Sequence, residues 1–417
     1  MPPDKKSHYF TGGFAEITPD PSPLTYTYLS DWFTGSKWIG KAMDILHLPC
    51  EKINLPILEM INDELVINLV NEEKTLYKKT LFSYKTQRSE SNIPVLMFDT
   101  KKLLCLPCIV NTFKIIYTQS TWIANPEKAV DNIQNNIDAF TNATDDSIWG
   151  AVVATGFLSE FYNQLLIKET GGNMTDIQLY IDVIVKEKDW FFKSYSDQAK
   201  VNSGSMSFSS YMDEYGLRAD RDYELTCPRW WEIPDIIKKR INNSVNHKNN
   251  QNHNAPTDIK IKKYIDAFVR LQILRSDVKK KVLVYMNKLR QDLLKKSPEK
   301  FITKSAKTKR VIPILLKQGK GRGVSPGIVE GTVQIINHVD NKILADSICI
   351  FPNASPEFAI QFPKCKGIIF LKGGSTSHGA IVAREYDIPA LIEESVINVS
   401  NGTKIKIDGK TGIWSLC

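Results

Sequence analysis

The chain has 417 residues, 42% of them hydrophobic and 24% charged. That is the balance of an ordinary soluble protein, long enough for two or three domains that each bury a core. The net charge of +8 is uneven: residues 237–320 hold 23 Lys and Arg against 5 Asp and Glu, a local balance of +18, so the remainder is net −10. No apolar run reaches the ~18 residues of a membrane span, and the opening Met1-Pro2-Pro3-Asp4-Lys5-Lys6 has no signal-peptide apolar core. A cytoplasmic protein without a membrane partner is expected.

Ile17-Thr18-Pro19-Asp20-Pro21-Ser22-Pro23 is a turn, because three prolines cannot sit inside a helix. A helix is expected from about Tyr26 to Leu46. Residues 56–118 read as mixed with β character; Glu64–Val70, Cys108–Val110 and Lys114–Tyr117 look like short strands. Helical spacing follows in three stretches: Ala129, Ile133, Ile137 and Phe140; then about Asp146 to Lys168, ended by Gly171-Gly172; then Thr175 to about Val185. The seven cysteines are odd in number and scattered, against a disulfide framework. Cys105-Leu106-Pro107-Cys108 has no second pair and no nearby histidine, so two buried structural thiols are expected there.

Residues 208–235 set Arg218, Arg221, Arg229, Glu224 and Glu232 among aromatics, including Tyr211, Tyr215, Trp230 and Trp231. Planar guanidinium groups on a rigid aromatic frame suit phosphate or carboxylate recognition; they equally suit a corner braced by Arg–Glu pairs. Asn242 to Pro256 is rich in Asn, His and Lys and reads as a flexible loop. His247 and His253 within it suit solvent better than a metal, and no metal site is expected. A long helix is expected from about Thr257 to Lys296, with Tyr264, Phe268, Leu271, Leu274, Val278, Val282, Tyr285, Leu289 and Leu293 at steps of three and four. A basic linker covers 297–320.

The last hundred residues read as α/β. Strands are expected at Ile328–Asn337, Ser347–Phe351, Gly367–Leu371, Ala390–Ile392 and Lys404–Ile407, with Ile413-Trp414 after an Asp408-Gly409 turn. Between the third and fourth runs Gly373-Gly374-Ser375-Thr376-Ser377-His378-Gly379-Ala380-Ile381-Val382-Ala383-Arg384-Glu385. Two glycines allow a tight turn, and a hydroxyl residue can cap a helix that begins there. His378 then stands in a first helical turn, where backbone N–H groups and the dipole favour an anion. A histidine beside an anion site suits taking up and passing on a phosphoryl group.

This stretch, followed by Ile388-Pro389-Ala390, resembles the signature Gly-Gly-x-x-x-His-x-Ala-Ile-x-Ala-Arg-Glu … Ile-Pro-Ala of the phosphohistidine swivelling domain of PEP-utilising enzymes. Those enzymes include phosphoenolpyruvate synthase, pyruvate phosphate dikinase and rifampicin phosphotransferase. The resemblance covers 321–417 closely. Over much of 14–296 it is looser: the Ile17–Thr25 turn and the 208–235 stretch resemble parts of the acceptor domain of rifampicin-phosphotransferase-like proteins. There Leu217 replaces the family's histidine, Ala219 replaces a glycine, and Ser276 replaces an acid near Arg275.

The resemblance implies an α+β multidomain protein. A mainly helical acceptor-binding-like domain at 1–318, with its loop at 242–256, precedes a swivelling phosphohistidine domain at 319–417. It implies that His378 is the phosphorylated residue, with Gly374, Thr376, Ser377 and Arg384 holding the phosphate and Arg218, Arg229 and Arg275 as acceptor-binding candidates. It also implies a phosphotransferase fed by an ATP-grasp domain, which would carry the ATP and Mg. No Gly-rich phosphate loop followed by a Lys-bearing strand occurs in residues 1–320. The expected arrangement is therefore a split system: a separate ATP-grasp protein as donor and a small molecule as acceptor. The alternative is a catalytically inactive binding or regulatory homologue. The Lys-rich helix has no RNA- or DNA-binding motif beside it, so nucleic acid is not the expected partner.

Overall fold

A computed structural model describes residues 9–10, 21–51, 53–61, 64–76, 79–84, 96–140, 147–172, 174–242, 256–301, 318–337, 339, 341–354, 356–374, 377–393 and 399–417. Its strands are β1 (Tyr9–Phe10), β2 (Leu58–Ile61), β3 (Glu64–Asn68), β4 (Phe82–Tyr84), β5 (Leu96–Phe98), β6 (Gln318–Lys320), β7 (Arg322–Ser325), β8 (Ile328–Ile335), β9 (Ser347–Phe351), β10 (Gly367–Phe370), β11 (Ala390–Ile392), β12 (Lys404–Asp408) and β13 (Ile413–Leu416). Its helices are α1 (Pro23–Trp32), α2 (Lys41–Ile45), α3 (Leu69–Leu76), α4 (Leu106–Ala124), α5 (Pro126–Phe140), α6 (Ser147–Glu169), α7 (Thr175–Lys188), α8 (Trp190–Asn202), α9 (Phe208–Tyr215), α10 (Pro234–Asn242), α11 (Ile259–Lys296) and α12 (His378–Glu385). The protein is α+β and multidomain. It divides into two compact units: Met1–Thr11, Asp20–Phe192 and His253–Phe301 form one, and Gly12–Pro19, Lys193–Asn252 and Ile302–Cys417 the other. Among the described residues no helix is long and apolar enough to cross a membrane.

The first unit is built around α11, 38 residues long, which packs on α5, α6 and α7. Asp258 starts it by accepting from the backbone N–H groups of Lys260 and Ile261 at 2.8 and 2.9 Å. Tyr264, Phe268, Leu271, Leu274, Val278 and Val282 are buried as their spacing predicts, each contributing roughly 1.5–3 kcal/mol. Beyond Val282 the buried face rotates to Leu283, Met286 and Arg290. A 3.6-residue turn drifts about 20° per seven residues against a fixed 3.5 repeat, which accounts for the change.

Three expectations in this unit need correction. The helix expected from Tyr26 to Leu46 breaks after Trp32, because Thr34 leaves the helix to bridge Pro56 and then caps a π-helical turn at Gly35–Gly40. The strands expected at Cys108–Val110 and Lys114–Tyr117 are both part of helix α4. There β-branched residues mislead, since burial of Cys108, Thr112, Ile115 and Trp122 at helical spacing outweighs their strand preference. Third, Cys105 and Cys108 are not two separate buried thiols: they are bonded to each other, and only Cys108 is buried. Ile17–Asp20, most of the 242–256 loop with both its histidines, and 302–317 of the basic linker lie outside the described residues.

In the second unit the C-terminal strands form one eight-stranded mixed sheet in the order β6-β13-β12-β8-β9-β10-β11-β7. Its centre, β8-β9-β10-β11, is parallel; β12, β13, β6 and β7 are antiparallel additions. Val333, Ile348, Ile350, Ile369, Leu391, Ile405, Ile407 and Trp414 form its core. All residues of β9 and β10 are buried, as expected of parallel strands covered on both faces. The expected strands are all present, within two residues at their ends. β6 and β7 were not anticipated: β6 lies in the stretch expected as a basic linker, and no strand was expected at Arg322–Ser325; the backbone at Gly321 and Gly323 approaches Ile392 and Lys410 too closely for any Cβ.

Candidate functional site at the start of helix α12

Helix α12 is the crossover between parallel strands β10 and β11. Such crossovers bring a helix N-terminus to the carboxyl end of a strand, the usual place for a ligand in α/β sheets. The turn between them is tightly specified. Gly373 has φ +148, and a Cβ there would stand 2.8 Å from the Ala354 Cβ. The neighbouring Lys372 carbonyl accepts from the Ala354 N–H at 2.9 Å, and the Ala354 carbonyl accepts from the Gly379 N–H at 3.0 Å. A Cβ on Gly379 would lie 2.9 Å from both the Ala354 Cα and the Phe370 ring. Glycine is thus required on both sides of the histidine so that the Ala354 loop can pin the turn. At Gly374 an added Cβ would meet nothing within 4 Å.

Ser377 is the N-cap. It has extended backbone, its buried Oγ accepts from the Ala380 N–H at 3.3 Å, and its carbonyl accepts from Ile381 at 3.0 Å. The Ser377 hydroxyl is therefore committed to starting the helix. His378 follows as the first residue of α12, with the dipole's positive end at that position. Ser375 and Thr376 lie outside the described residues. Arg384 is in the last turn, six residues and about 9 Å along the axis from His378. It is buried, and its Nη1 donates to the Val324 carbonyl at 3.0 Å, tying α12 to β7. A cation there also suits the negative end of the helix dipole.

The acceptor candidates fall in two places. Arg218 and Arg229 are brought together around Asp222 in the second unit, whereas Arg275 belongs to the first. Arg218 is 1% exposed. Its Nη2 and Nε donate to Asp222 Oδ2 at 2.9 and 3.3 Å, and its Nη1 donates to the Ser194 hydroxyl. Its guanidinium carbon lies 5.2 Å from the Tyr195 ring centroid and 5.0 Å from that of Trp230. Burial works against its charge, but the Asp222 carboxylate prevails and raises its pKa. Arg229 is fully buried; its Nη1 donates to the Asp222 carbonyl at 2.8 Å and its backbone N–H to Glu232 at 2.9 Å. Around them Tyr211 donates its hydroxyl to the Ser194 carbonyl at 2.9 Å and Tyr215 to Asp197 at 2.7 Å, and burial raises the pKa of both phenols. Arg275 is half-buried, its guanidinium 3.5 Å from where a Cβ on Gly156 would stand.

Asp222, Ser194 and Ala354 escaped notice as supporting residues. Asp222 carried a signal, standing four residues after an arginine, but the segment is turn rather than helix. Ser194 had none, since its contact with Arg218 spans 24 residues of sequence. Ala354 stands 19 residues before Gly373 and 25 before Gly379, with nothing in the sequence to link it to the glycines it packs against.

Residues 343–412 match the family described as PEP-utilising enzyme, mobile domain. The chain is 32% identical over 95 residues to the rifampicin phosphotransferase of Bacillus subtilis, covering 22% of this chain and 11% of that protein. It is 36% identical over 91 residues to the rifampicin phosphotransferase of Bacillus cereus, covering 22% and 10%. It is 32% identical over 99 residues to the phosphoenolpyruvate synthase of Pyrococcus furiosus, covering 22% and 12%. The match thus spans about a tenth of the length of these relatives. The solution NMR structure of a UPF0107 protein aligns over 24% of this chain and 98% of its own, at 16% identity and a TM-score of 0.20. The glycine turn, its Ser377 cap and His378 all fall inside residues 343–412, the segment that matches the mobile domain of PEP-utilising enzymes.

Proposed function

We propose that the protein is a phosphotransferase component in which His378 carries a phosphoryl group from an ATP-grasp partner to a small-molecule acceptor. The observation that supports this most is the placement of His378 as the first residue of α12, between Gly373 and Gly379, both packed too closely on Ala354 for a Cβ, within the mobile-domain segment. In the first half-reaction an imidazole nitrogen attacks phosphorus in line, and the N–P bond forms as the P–O bond to the donor breaks. In the second, an acceptor oxygen displaces the imidazole. The N-terminal N–H groups of α12 favour the anionic group at both stages, and dividing one transfer into two lowers each barrier. ATP and Mg belong to the donor partner, and the acceptor to the helical part of this chain.

Incubation with ATP labelled at both its β and γ phosphorus, Mg and the cognate ATP-grasp protein, and separately with labelled phosphoenolpyruvate, tests the reading. One acid-labile, base-stable phosphate per chain is expected in one of the two, absent from His378→Ala. An unlabelled wild type in both incubations sinks the proposal.

One observation favours a second reading, a homologue that binds a small molecule without turnover. Leu217 stands where the related acceptor domains have histidine, and the adjacent Arg218 is buried against Asp222, Ser194 and two rings. In that case His378 would remain unlabelled while a ligand still bound.

A further inference from the structure

The Cys105-Leu106-Pro107-Cys108 segment has no part in phosphoryl transfer. Cys105 is the N-cap of α4 and Cys108 its third residue, so the first turn of the helix brings the two together. Their Cα atoms are 5.2 Å apart and the sulfurs are bonded. Pro107 fits here, because a first-turn residue needs no N–H and its fixed φ holds the pair at this spacing. A link closing so short a loop takes little entropy from the unfolded chain, which leaves a purely structural staple with little to do.

The two sulfurs have different surroundings. Cys108 is 4% exposed. Its carbonyl accepts from the Thr112 hydroxyl at 2.8 Å, and that hydroxyl in turn accepts from the Leu81 N–H at 2.9 Å. Cys105 is half-buried and makes no side-chain capping bond. It stands between Leu104, 98% exposed, and Leu106, 70% exposed, so a second molecule can reach it. A cysteine at a helix N-terminus gains thiolate character from the dipole. One accessible sulfur at the helix mouth with one sheltered sulfur a turn inward is the arrangement thiol–disulfide exchange requires.

We propose that Cys105 and Cys108 form a reversible dithiol–disulfide pair that exchanges with a disulfide-bearing partner, with Cys105 as the attacking sulfur and Cys108 as the resolving one. Starting from the dithiol, the Cys105 thiolate attacks one sulfur of the partner disulfide. The partner's S–S bond breaks, one partner thiolate leaves and takes up a proton, and a mixed disulfide forms on Cys105. The Cys108 thiolate then attacks the Cys105 sulfur and expels the second partner thiolate, which is protonated in turn. Two electrons pass from the pair to the partner, and the two protons lost by the cysteines end on the two partner thiols.

The test uses the full-length chain and oxidised and reduced glutathione as the probe. Samples poised across a range of glutathione ratios are acid-quenched and alkylated, and the peptide containing both cysteines is weighed. A reversible transition between dithiol and disulfide is expected. A pair that stays closed in excess dithiothreitol, or never closes at the oxidising end, overturns the proposal. Cys108→Ser should capture one glutathione on Cys105 about tenfold faster than Cys105→Ser captures it on Cys108. Equal rates also overturn it. Because either serine could disturb α4, reduced wild type is treated with limiting iodoacetamide as well, and Cys105 should be labelled before Cys108; the reverse order refutes the assignment. Elsewhere in the chain, burial pushes the Cys227 thiol up to about 11, which keeps it slow in these reactions.

Discussion

Ser377 and Gly379 flank His378 and act on it through different physics, so their substitutions should differ in kind. Ser377→Ala removes the hydroxyl that accepts from the Ala380 N–H. It should cost about 1 kcal/mol, the usual worth of an N-cap, with phosphorylation of His378 slowed but present. Gly379→Ala drives a Cβ into the Ala354 backbone and the Phe370 ring. Overpacking of that kind costs about 1–3 kcal/mol, and because the displaced element carries His378, labelling should fall well beyond what the stability loss explains. Urea unfolding and phosphate incorporation on both variants check the pair; equal labelling of the two would separate the turn's geometry from its chemistry. Arg218 makes a different prediction, as a buried cation whose partner is Asp222. Removing one member strands the other, so Arg218→Ala or Asp222→Ala should each destabilise by about 3–5 kcal/mol. Arg218→Lys should recover little, because an ammonium cannot reproduce both the Asp222 and Ser194 bonds and the stacking on Tyr195 and Trp230. Thermal unfolding decides this, and a small loss would mean that the aromatic frame, not the ion pair, holds the corner.

Elements were legible where one physical signal dominated. Helix α11 was readable from period and cap together, and Asp258→Ala should cost it about 1 kcal/mol, measured by denaturant unfolding of the full chain. Strands β9 and β10 were readable because parallel strands buried on both faces are continuous apolar runs. The start of α12 was readable from Ser377, a hydroxyl residue whose capping requirement is local. Elements were illegible where tertiary contacts set the outcome. Helix α4 looks like strand because Ile109, Val110, Ile115 and Ile116 are β-branched, yet its inward face is spaced for a helix. Helix α1 stops at Trp32 because Thr34 pairs with Pro56, a residue 22 positions away. β7 could not be recognised from Gly323, because what makes it a strand residue is the approach of Lys410 and the pairing with β11. The same limit applied to the candidate site: His378 and its cap were local and readable, whereas Asp222, Ser194 and Ala354 act through contacts distant in sequence.

At the scale of the molecule the charge distribution sets how a partner would arrive. Residues 237–320 carry +18 while the rest of the chain carries −10. On α11 the exposed lysines Lys262, Lys263, Lys281, Lys288, Lys295 and Lys296 present part of that charge to solvent. Local acids offset a few of the helix's cations, as in the Lys260–Glu169 and Arg270–Asp131 pairs at 2.7 and 2.6 Å. Exposed pairs of this sort contribute little to stability, so so large a one-sided excess matters more for association than for folding. If an acidic or nucleotide-loaded donor protein is steered by it, the second-order rate of His378 phosphorylation should fall on the order of tenfold as the Debye length shrinks from about 30 Å at 0.01 M salt to about 8 Å at 0.15 M. Reversal of Lys262, Lys263 and Lys288 to Glu should flatten that dependence while leaving the thermal midpoint nearly unchanged. The control is a nucleic-acid gel shift at the same two salts. Steep salt-dependent retention of DNA or RNA, together with a phosphorylation rate indifferent to salt, would reassign the basic stretch from donor docking to a polyanion surface.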